Sequence, residues 1–475
     1  MVFNEHKRKI QSHFSHAHHY EKYALVQKTV AQRLMGHILN RYTMLGLPPP
    51  KRILEIGCGS GFLTQLLKIN FPDSFCISVD LSEEMILRAR ENHNGSQIAF
   101  AVMDGENLAL SGSFDLVCSS LCMQWFVSRK AALERLYEYL APGGLFMAST
   151  LAAGTFEEWR ESCNQMGVAC AVPFYPSIDQ LNAERPRSGH GLWSSETLIE
   201  PVDNAWAFLQ ALKAIGAHTA PAGYRAVSSS SLRRVMYYFD QHYSYLSYAV
   251  AYGWFRKAPC QGVFVTGTDT AIGKTVVSAA LVQAWQALYW KPFQTGVAEE
   301  KPDHAIITSL VRRKDGKLPK ILPSLLVLSA ALSPFEAMLR EQKSYSFEDF
   351  HLTPSCKADD VLVIEGAGGV MVPLTAHTLL RDAILKIGLP VILVVRSGLG
   401  TLNHTLLSVE SLKNVGIAIA GIVMNGKPQP HNRKAIEERT GVPIIAELDW
   451  LEEGITPQTI LAMSQALPAF NVLVQ

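Results

Sequence analysis

The stretch Val263-Phe-Val-Thr-Gly-Thr-Asp-Thr-Ala-Ile-Gly-Lys-Thr275 decides the fold of the second half of the chain. It begins with a short apolar run that predicts a buried strand, and a glycine-containing turn then leads into Gly273-Lys274-Thr275. The following residues, 276–285, have the composition and spacing of a helix. A turn between a strand and a helix start is a place where backbone N–H groups bind phosphate oxygens. We therefore expect Lys274 to reach the β- and γ-phosphates of a nucleotide and the Thr275 hydroxyl to bind Mg²⁺.

The match to a phosphate-binding loop is incomplete. The strict form G-x-x-x-x-G-K-T would place its first glycine where this chain has Thr268, and Gly267 stands one position earlier. A simpler interpretation is a Gly-Lys-Thr turn that opens an ordinary helix. Because a strand and a helix both stand where a phosphate loop needs them, we favour an ATP or GTP enzyme in this half.

Length and composition indicate a globular chain of two or three domains. The chain has 475 residues, 48% apolar and 18% charged, with a formal net charge of +1, which argues against a surface built for nucleic acid or membrane. Its eight cysteines form no C-x-x-C pair, which indicates reduced thiols. Residues 1–10 are charged where a signal peptide is apolar, and no apolar run is long enough to span a bilayer, so we expect a cytoplasmic protein.

The first half contains a second strand–turn–helix unit, Arg52-Ile-Leu-Glu-Ile-Gly-Cys-Gly-Ser-Gly-Phe-Leu-Thr-Gln-Leu-Leu67. Its glycines allow the backbone to approach a ligand closely. The next predicted strand ends at Asp80, about 20 residues further on, where an acid can bind ribose hydroxyls. Predicted strands at 98–102 and 114–118 also run into polar residues. This alternation predicts an α/β fold, a doubly wound sheet with its ligand across the strand tips.

Four segments resemble the motifs of the class I S-adenosylmethionine methyltransferases, whose domain is Rossmann-like. They are Glu55–Gly61, Val79–Ser82, Met103-Asp104 and Phe114-Asp115. The resemblance implies S-adenosylmethionine as cofactor, bound by Glu55, by Gly57 and Gly59 on the methionine part, by Asp80 on the ribose and by Asp104 near the adenine amine. NAD is the competing ligand, and it is disfavoured because Phe62 and Leu63 stand where the third glycine of G-x-G-x-x-G would fall.

Residues 13–24, 120–125, 212–217 and 243–255 resemble a narrower family, the malonyl acyl-carrier-protein O-methyltransferases of biotin synthesis. That family methylates the free carboxylate of a malonyl thioester held on an acyl carrier protein, which is thereby implied as a partner. The resemblance puts Tyr20 at the substrate as a catalytic residue and makes Gln124 and Trp125 part of the wall of its site. The rings of Tyr20 and Trp125 could equally well be part of a hydrophobic core.

Between residues 173 and 234 the pattern stops indicating a sheet, and we predict an inserted helical cap. An acidic carrier protein would dock on its arginines at positions 185, 187, 225, 233 and 234, although an ordinary solvated surface explains them equally well.

The histidines at positions 13, 16, 18 and 19 lack the spacing of a metal site, and we expect a solvated helical segment there. We predict a methyltransferase domain over 1–258, with its cap at about 173–234, and a P-loop domain over 259–475.

The second half, over nearly all of 262–455, resembles the dethiobiotin synthetases, which have a doubly wound, P-loop NTPase-like domain. The resemblance rests on Thr266–Thr275, Lys291-Pro292, Glu365–Gly369, Leu389–Val395 with Gly400–His404, and Asn425. In that family 7,8-diaminopelargonate takes up CO₂ as a carbamate, the carbamate attacks the ATP γ-phosphate, and the second amine closes a ureido ring. The chemistry needs cations around crowded negative charge.

The same resemblance implies a role for individual residues. Lys274 and Lys291 would be catalytic, Gly273 and Lys274 would bind ATP phosphates, and Asn425 would bind the adenine. Mg²⁺ would be held by Thr275, Asp303 and Glu365, and the diamine or carbamate would meet Thr270, Lys291 and Thr295. Gly400 and Asn403 would close the substrate site from a second subunit, which implies a homodimer.

Two departures from this family bear on the second site. Ala271 stands where relatives often carry an acid, and the segments between Thr275 and Asp303 are short. The shortening bears most on Asp303 among the implied metal ligands, and reduced activity of this half is one interpretation of it.

Two domains that resemble enzymes of one biosynthetic route support each other, and we interpret the chain as a bifunctional enzyme of biotin biosynthesis. One alternative is a methyltransferase for another small carboxylate joined to a dethiobiotin synthetase. A second is a regulatory partitioning-type ATPase with a degenerate methyltransferase module, against which Lys291-Pro292 and Thr295-Gly296 argue, as does the lack of a second lysine early in the loop.

Overall fold

The computed structural model describes residues 5–17, 20–93, 97–186, 189–220, 223–347, 350, 360–449 and 454–473. The chain divides into two compact units, the first formed by residues 1–186 and 192–255 and the second by residues 187–191 and 256–475. The extent of two independently folding domains, 1–258 and 259–475, stays a prediction. Among the described residues, no helix combines the length and the apolar character needed to cross a membrane.

The first unit is an α/β sheet structure. Its helices are α1 (Glu5–Ser15), α2 (Tyr20–Tyr23), α3 (Leu25–Leu45), α4 (Phe62–Asn70), α5 (Glu83–Asn92), α6 (Arg129–Glu138), α7 (Glu157–Gln165), α8 (Ile178–Ala183), α9 (Ala205–Ala214) and α10 (Ser229–His242), with a short 3-10 turn at Met123–Trp125. Its strands are β1 (Arg52–Ile56), β2 (Phe75–Asp80), β3 (Ile98–Val102), β4 (Phe114–Ser120), β5 (Leu140–Leu151), β6 (His190–Pro201) and β7 (Tyr245–Arg256).

The strand order in this sheet is β3-β2-β1-β4-β5-β7-β6, and the strands from β3 to β5 are parallel. The order reverses between β1 and β4, where the chain crosses from one side of β1 to the other. In sheets of this kind a ligand binds at that switch point, beyond the carboxyl ends of the strands. The predicted doubly wound fold is confirmed, and its strand tips carry the predicted motifs.

The prediction of a helical cap over about 173–234 is wrong for residues 190–201. These residues form β6, a twelve-residue edge strand of the main sheet beside β7. Only its beginning is well buried, where Trp193 packs into the core, and the rest alternates between half-buried and exposed. An edge strand with one face towards solvent carries many polar residues, so its composition concealed it.

The second unit is a separate α/β sheet structure. Its helices are α11 (Lys274–Trp285), α12 (Asp303–Leu310), α13 (Pro334–Arg340), α14 (Leu380–Ile387), α15 (Thr401–Lys413), α16 (Pro430–Thr440), α17 (Pro457–Gln465) and α18 (Phe470–Leu473). Its strands are β8 (Gly262–Gly267), β9 (Leu288–Trp290), β10 (Phe293–Gln294), β11 (Ile321–Leu322), β12 (Leu326–Val327), β13 (Leu362–Gly369), β14 (Val391–Arg396), β15 (Ile419–Asn425) and β16 (Ile444–Leu448).

The main sheet of the second unit has the order β11-β9-β13-β8-β14-β15-β16, and every neighbouring pair is parallel. The central strand β8 is buried along its whole length, as expected of a parallel strand covered by helices on both faces. The loop after β8 leads directly into α11, so the predicted strand–loop–helix context of the phosphate loop is confirmed. The strands β10 and β12 form a small sheet of their own.

Replacing Gly253 in β7 with alanine is expected to destabilise the first unit by about 1–3 kcal/mol, because an added methyl group overpacks this site. A Cβ atom at this position would lie 2.6 Å from ring atoms of the buried Trp193. Unfolding is followed by hydrogen exchange of β7 peptides across a urea series. The control is Gly36→Ala in α3, where a Cβ meets nothing within 4 Å and the change should stabilise the helix. Equal stabilities of the two variants would contradict this packing.

Candidate active sites

One cavity at the strand tips of the first unit collects the residues predicted for the cofactor. It has about 960 Å³ of empty volume, part of it open to solvent. The predicted site residues that line it are Tyr20, Glu55, Gly57, Gly59, Asp80, Asp104 and Trp125. The turn after β1, the end of β2 and the residues after β3 supply most of these groups, because the three strands are parallel neighbours that end at one edge.

The glycine turn and Asp80 form a connected unit. The backbone N–H of Gly59 donates to one Asp80 carboxylate oxygen at 2.9 Å, and the N–H of Ser82 donates to the other at 2.8 Å. Burial raises the pKa of Asp80, and these two N–H donors oppose that rise. Gly57 has φ +68°, and a Cβ atom there would lie 2.4 Å from the Sγ of Cys122. Only glycine therefore fits where the turn passes under Cys122.

Glu55 forms hydrogen bonds with the elements on either side of the glycine turn. Its carboxylate is buried in β1 and accepts hydrogen bonds from Thr64 Oγ1 at 2.5 Å and Ser78 Oγ at 2.7 Å. Burial raises the pKa of Glu55 to about 7, although the two hydroxyl donors act in the opposite direction. The donors come from α4 and β2, so Glu55 ties together the elements that carry the glycine turn and Asp80.

Asp104 is paired with a lysine that the sequence analysis did not single out. Lys7 Nζ, from α1, lies 2.6 Å from Asp104 Oδ2 and 2.6 Å from Glu106 Oε2. Burial by itself would raise the pKa of Asp104, but the hydrogen bond from Lys7 lowers it below its ordinary value. The acid predicted to face the adenine amine is therefore ionised and already bears a cation beside it.

Tyr20 and Trp125 stand between this cavity and a second one. Both residues, with Phe14, Gln27 and Leu121, line both cavities. The remaining residues that line the second cavity are Gln124, Leu151, Phe156, Tyr175, Leu212, Ile215, Ala217 and Tyr248. Burial, followed by the charge of Asp80, raises the pKa of Tyr20, so its hydroxyl stays protonated and acts as a donor. The second cavity is thus a mainly apolar chamber beside the predicted methyl donor.

In the second unit, polar side chains converge on Glu365 in β13. The Thr275 hydroxyl donates to Glu365 Oε1 at 2.9 Å and lies 2.5 Å from Asp303 Oδ1. Lys291 Nζ lies 2.9 Å from Glu365 Oε1 and 2.6 Å from Asp303 Oδ2. The Tyr289 hydroxyl donates to Glu365 Oε2 at 2.9 Å. The short segment before Asp303 therefore still delivers this carboxylate to the cluster.

The two lysines of this site have opposite pKa shifts. Burial lowers the pKa of Lys274 to about 8, and its ammonium donates to the carbonyl oxygen of Asp269 within the loop at 2.8 Å. Burial would also lower the pKa of Lys291, but Glu365 and Asp303 outweigh burial and raise it. Asp303 is affected in the complementary way, since Lys291 more than offsets burial and lowers the pKa of its carboxyl.

Asn425, at the end of β15, contacts the loop itself. Its Nδ2 donates to the carbonyl oxygen of Ile272 at 2.8 Å. A Cβ atom on Gly273 would lie 2.0 Å from the same nitrogen, and Gly273 has φ +90°. The start of α11 and the residue predicted to bind adenine are therefore in direct contact. Asn425 also lies opposite Arg396 in the register of β14 with β15.

Other predicted residues are not gathered at Glu365. Thr270 is exposed in the loop, and Thr295 is half-buried beyond Lys291. Gly400 and Asn403 are exposed at the start of α15, and within the part of the chain that the structure describes no hydrogen bond joins them to the Glu365 cluster. Of the arginines predicted for docking, Arg185 is half-buried, those at 225, 233 and 234 are exposed, and Arg187 lies outside the described residues, as do the histidines at 18 and 19.

Several residues of the two sites were missed at the level of sequence. They are Lys7, Phe14 and Cys122 in the first unit, and Tyr289 and Gln294 in the second. A lone lysine in a polar helix or a tyrosine in an apolar strand carries no motif. The one available signal was the position of Tyr289 two residues before Lys291.

Comparisons with known proteins agree with this geometry. A family model described as an AAA domain matches residues 261–458, and one described as a methyltransferase domain matches residues 53–144. The chain is 40% identical over 458 residues to the biotin biosynthesis bifunctional protein BioCD of Bordetella avium (strain 197N), an alignment that covers 96% of this chain and 95% of that protein.

Each half also resembles a separate protein. Over 203 residues the chain is 45% identical to the ATP-dependent dethiobiotin synthetase BioD of Paramagnetospirillum magneticum, covering 43% of this chain and 94% of that protein. Over 254 residues it is 35% identical to the malonyl-[acyl-carrier protein] O-methyltransferase of Magnetococcus marinus, covering 53% of this chain and 93% of that protein.

Replacing Glu55 with glutamine is expected to change how the stability of the first unit depends on pH. The pKa of Glu55 is about 7 in the folded chain against an ordinary 4.5, so the folded state binds more protons between these values. The contribution of Glu55 to the free energy of unfolding is fully present below pH 4.5, and it is lost as the pH rises through 7. The wild type should lose about 3 kcal/mol more than Glu55→Gln over this window.

The measurement is urea unfolding at pH 4.5, 6 and 8, read by hydrogen exchange of β1 peptides. The control variant is Glu91→Gln, at an exposed position of α5. If wild type and Glu55→Gln have parallel pH curves, the buried carboxyl of Glu55 does not have the raised pKa described here.

Proposed function

Because this chain belongs to the family of BioCD bifunctional biotin biosynthesis proteins, we propose that each of its two units holds one active site. The first site transfers a methyl group from S-adenosylmethionine to the free carboxylate of a malonyl group on acyl carrier protein. The second carries out the ATP-dependent conversion of 7,8-diaminopelargonate and CO₂ to dethiobiotin. The chain is thus an enzyme with two activities in one biosynthetic route.

One observation carries this proposal, namely that each glycine loop contacts the acid predicted for its own ligand. In the first unit Gly59 donates to Asp80. In the second, Thr275 at the end of the loop donates to Glu365. The partners lie 21 and 90 residues apart along the chain, and the pairing of parallel strands brings each pair together. A degenerate binding module would have no reason to keep both pairings.

Methyl transfer at the first site needs little acid–base help. The substrate carboxylate oxygen forms a bond to the methyl carbon while the bond from that carbon to the sulfonium sulfur breaks. An anion and a cation combine, so charge disappears as the transition state forms. None of the described residues that line the second cavity is charged. A chamber of this polarity favours the loss of charge and removes water from the nucleophile.

Tyr20 is proposed to orient the carboxylate at this site. Its hydroxyl stays protonated because burial and Asp80 raise its pKa, so it donates a hydrogen bond and does not act as a base. Stacking on Phe62, with ring centroids 5.9 Å apart, holds the ring. Gln124 is oriented by two hydrogen bonds, from its Nε2 to the Leu121 carbonyl and from Thr150 Oγ1 to its Oε1, and it presents a polar group to the chamber.

The residues of the second site fit a magnesium ion. Thr275 Oγ1, Asp303 Oδ1 and Glu365 Oε1 are oxygen donors grouped within 3 Å of the threonine hydroxyl, and Mg²⁺ prefers oxygen ligands of this kind. When bound, the ion would neutralise phosphate charge and orient the terminal phosphates of ATP. These three residues are proposed to hold it.

The lysines of the second site are proposed to balance the charge of the reaction. Carbamate and triphosphate bring several negative charges together, and fixed cations lower the energy of that arrangement. The ammonium of Lys274, buried at the start of α11, would face the phosphates. Lys291 stays protonated because Glu365 and Asp303 raise its pKa, and it would face the carbamate with Thr270 and Thr295. Asn425, in contact with the loop, would meet the adenine.

Two interactions with other protein chains are proposed. Acyl carrier protein, which is acidic, would use the exposed arginines at positions 225, 233 and 234. A second copy of this chain would pair through the second unit, where Leu399 is fully exposed beside Gly400, and Met371 and Leu407 are half exposed. In that dimer Gly400 and Asn403 would close the substrate site of the partner.

The two activities should be separable by single substitutions in the full-length chain. Asp80→Asn weakens hydrogen bonding to the ribose and is expected to raise the KM for S-adenosylmethionine about tenfold or more. Lys274→Met removes a cation from the phosphates and should lower the kcat of dethiobiotin formation about 100-fold or more. Both activities are assayed on both variants, so each variant serves as the control for the other.

Two results would contradict this assignment. One is that either substitution abolishes both activities although the variant protein remains folded. The other is ATP hydrolysis by the wild type that does not respond to 7,8-diaminopelargonate. Comparing carrier-bound with free malonyl thioesters separates the proposed substrate from another small carboxylate.

Leu399→Asp is expected to dissociate the proposed dimer, because it places a charge in an apolar contact. Sedimentation should shift towards the monomer, and dethiobiotin formation should fall at least about tenfold while methyl transfer stays unchanged. The control variant is Leu318→Asp, at another exposed position of the second unit. A wild type that sediments as a monomer, or full synthetase activity in a monomeric variant, would rule out a shared site.

A further inference from the structure

Helix α1 forms one wall of the cofactor cavity. Lys7, Ile10 and Phe14 all line that cavity, and their spacing of three and four residues puts them on one face of the helix. Most other residues of α1 are polar and exposed or half-buried. The helix therefore presents a narrow edge to the cavity and has little apolar surface of its own to hold it there.

The strongest attachment of α1 is the ammonium group of Lys7. Its side chain is only 10% exposed and lies 2.6 Å from each of two carboxylates, Asp104 and Glu106. Glu106 in turn accepts hydrogen bonds from the backbone N–H groups of Val127 and Ser128, so it is held in place before α6. Removing the lysine would leave the half-buried Asp104 and the buried Glu106 close together without a cation between them, which is costly.

Other contacts also hold this segment. His13 Nδ1 lies 2.8 Å from Thr219 Oγ1, and the His13 ring stacks on that of His218 with centroids 4.0 Å apart. Phe14 packs edge-on against Trp125. Gln11 Nε2 donates to the carbonyl oxygen of Leu81 at 2.9 Å, and the hydroxyls of Ser15 and Ser82 lie 3.0 Å apart. Beyond the helix, Arg88 donates to the carbonyl oxygen of Ala17 at 2.6 Å. The bonds of Gln11 and Ser15 join α1 to residues 81 and 82, directly after β2.

The ion pair of Lys7 is compatible with a bound cofactor. An ionised carboxylate offers about four positions to hydrogen-bond donors, two on each oxygen. Asp104 Oδ2 accepts hydrogen bonds from Lys7 and Asn107, whereas the one donor to Oδ1 among the described residues is the N–H of Glu106. One position on Oδ1 is left for the amine of an adenine. The cofactor and the closed helix therefore do not compete for Asp104.

We propose that α1 is a cover that opens for each exchange of cofactor and that Lys7 is the positioning residue that holds it closed during methyl transfer. A nucleoside beneath Lys7, Ile10 and Phe14 leaves when this edge moves away. This inference rests on the proposed assignment of the cavity to S-adenosylmethionine. It adds to that assignment a route for exchange and the residue that controls it.

The first test measures the dissociation of S-adenosylhomocysteine from the full chain, by displacement of labelled ligand with an excess of unlabelled ligand. Lys7→Met should release it about tenfold faster or more, since hydrogen bonds between charged groups are lost. The matched control is Lys9→Met in the same helix, where the lysine is 61% exposed and pairs with Glu5 at the surface. This control should dissociate at the wild-type rate.

The second test does not depend on the stability of the Lys7 variant. Ser15→Cys with Ser82→Cys, oxidised by glutathione disulfide, ties the end of α1 to the start of α5 with a disulfide. Bound S-adenosylhomocysteine should then leave at least about tenfold more slowly, and a thiol reductant should restore the original rate. The single variant Ser15→Cys, treated in the same way, should behave as the wild type.

The outcomes separate this inference from the proposed function. If the wild type does not bind S-adenosylhomocysteine, the cofactor assignment and this inference both fail. If the wild type binds it but dissociation is unchanged in Lys7→Met, or equally fast in the oxidised double cysteine variant, the cofactor assignment stands and the cover does not. A lower melting temperature of Lys7→Met without faster release would mark Lys7 as merely structural.

Discussion

Parallel strands that end at one edge are the constraint on which both sites depend. In the first unit β1, β2 and β3 are neighbours, so the glycine turn, Asp80 and Asp104 come together although they are separate in the chain. In the second unit β8, β13 and β9 are neighbours, and they bring the phosphate loop, Glu365 and Lys291 together in the same way. Adjacent strands lie about 4.8 Å apart, so groups at three neighbouring tips can touch a single ligand.

The two sites differ in how they treat charge. The reaction of the first unit combines an anion with a cation, and the chamber proposed for its substrate is lined by apolar and neutral polar groups. The reaction of the second unit accumulates negative charge, and its site contains two buried lysines beside two carboxylates. In each case the polarity of the site follows the change of charge along the reaction.

Burial of charge explains why the polar groups of each site are connected. Glu365 alone would be expensive to bury, but it accepts hydrogen bonds from Thr275, Tyr289 and Lys291. Asp80 is held by two backbone N–H groups, and Asp104 by Lys7. Such connections fix the carboxylates before a ligand arrives, so binding need not pay for their ordering.

The sequence by itself determined the two glycine loops and the acids Asp80 and Glu365, because these signals are local. A strand, a glycine turn and a helix start lie next to one another in the chain, and Asp80 and Glu365 stand at fixed places in strands that their apolar runs reveal. The edge strand β6 was taken for part of a cap, since one solvent-facing side gives a strand a polar composition.

Only the tertiary structure decided which distant groups complete each site. Lys7 reaches Asp104 from a helix 97 residues earlier in the chain, and Tyr289 reaches Glu365 from a neighbouring strand. The segment before Asp303 is short, yet the fold brings this carboxylate within 2.6 Å of Lys291. Contacts between residues far apart in the chain depend on how whole elements pack, and no local pattern of residues records that packing.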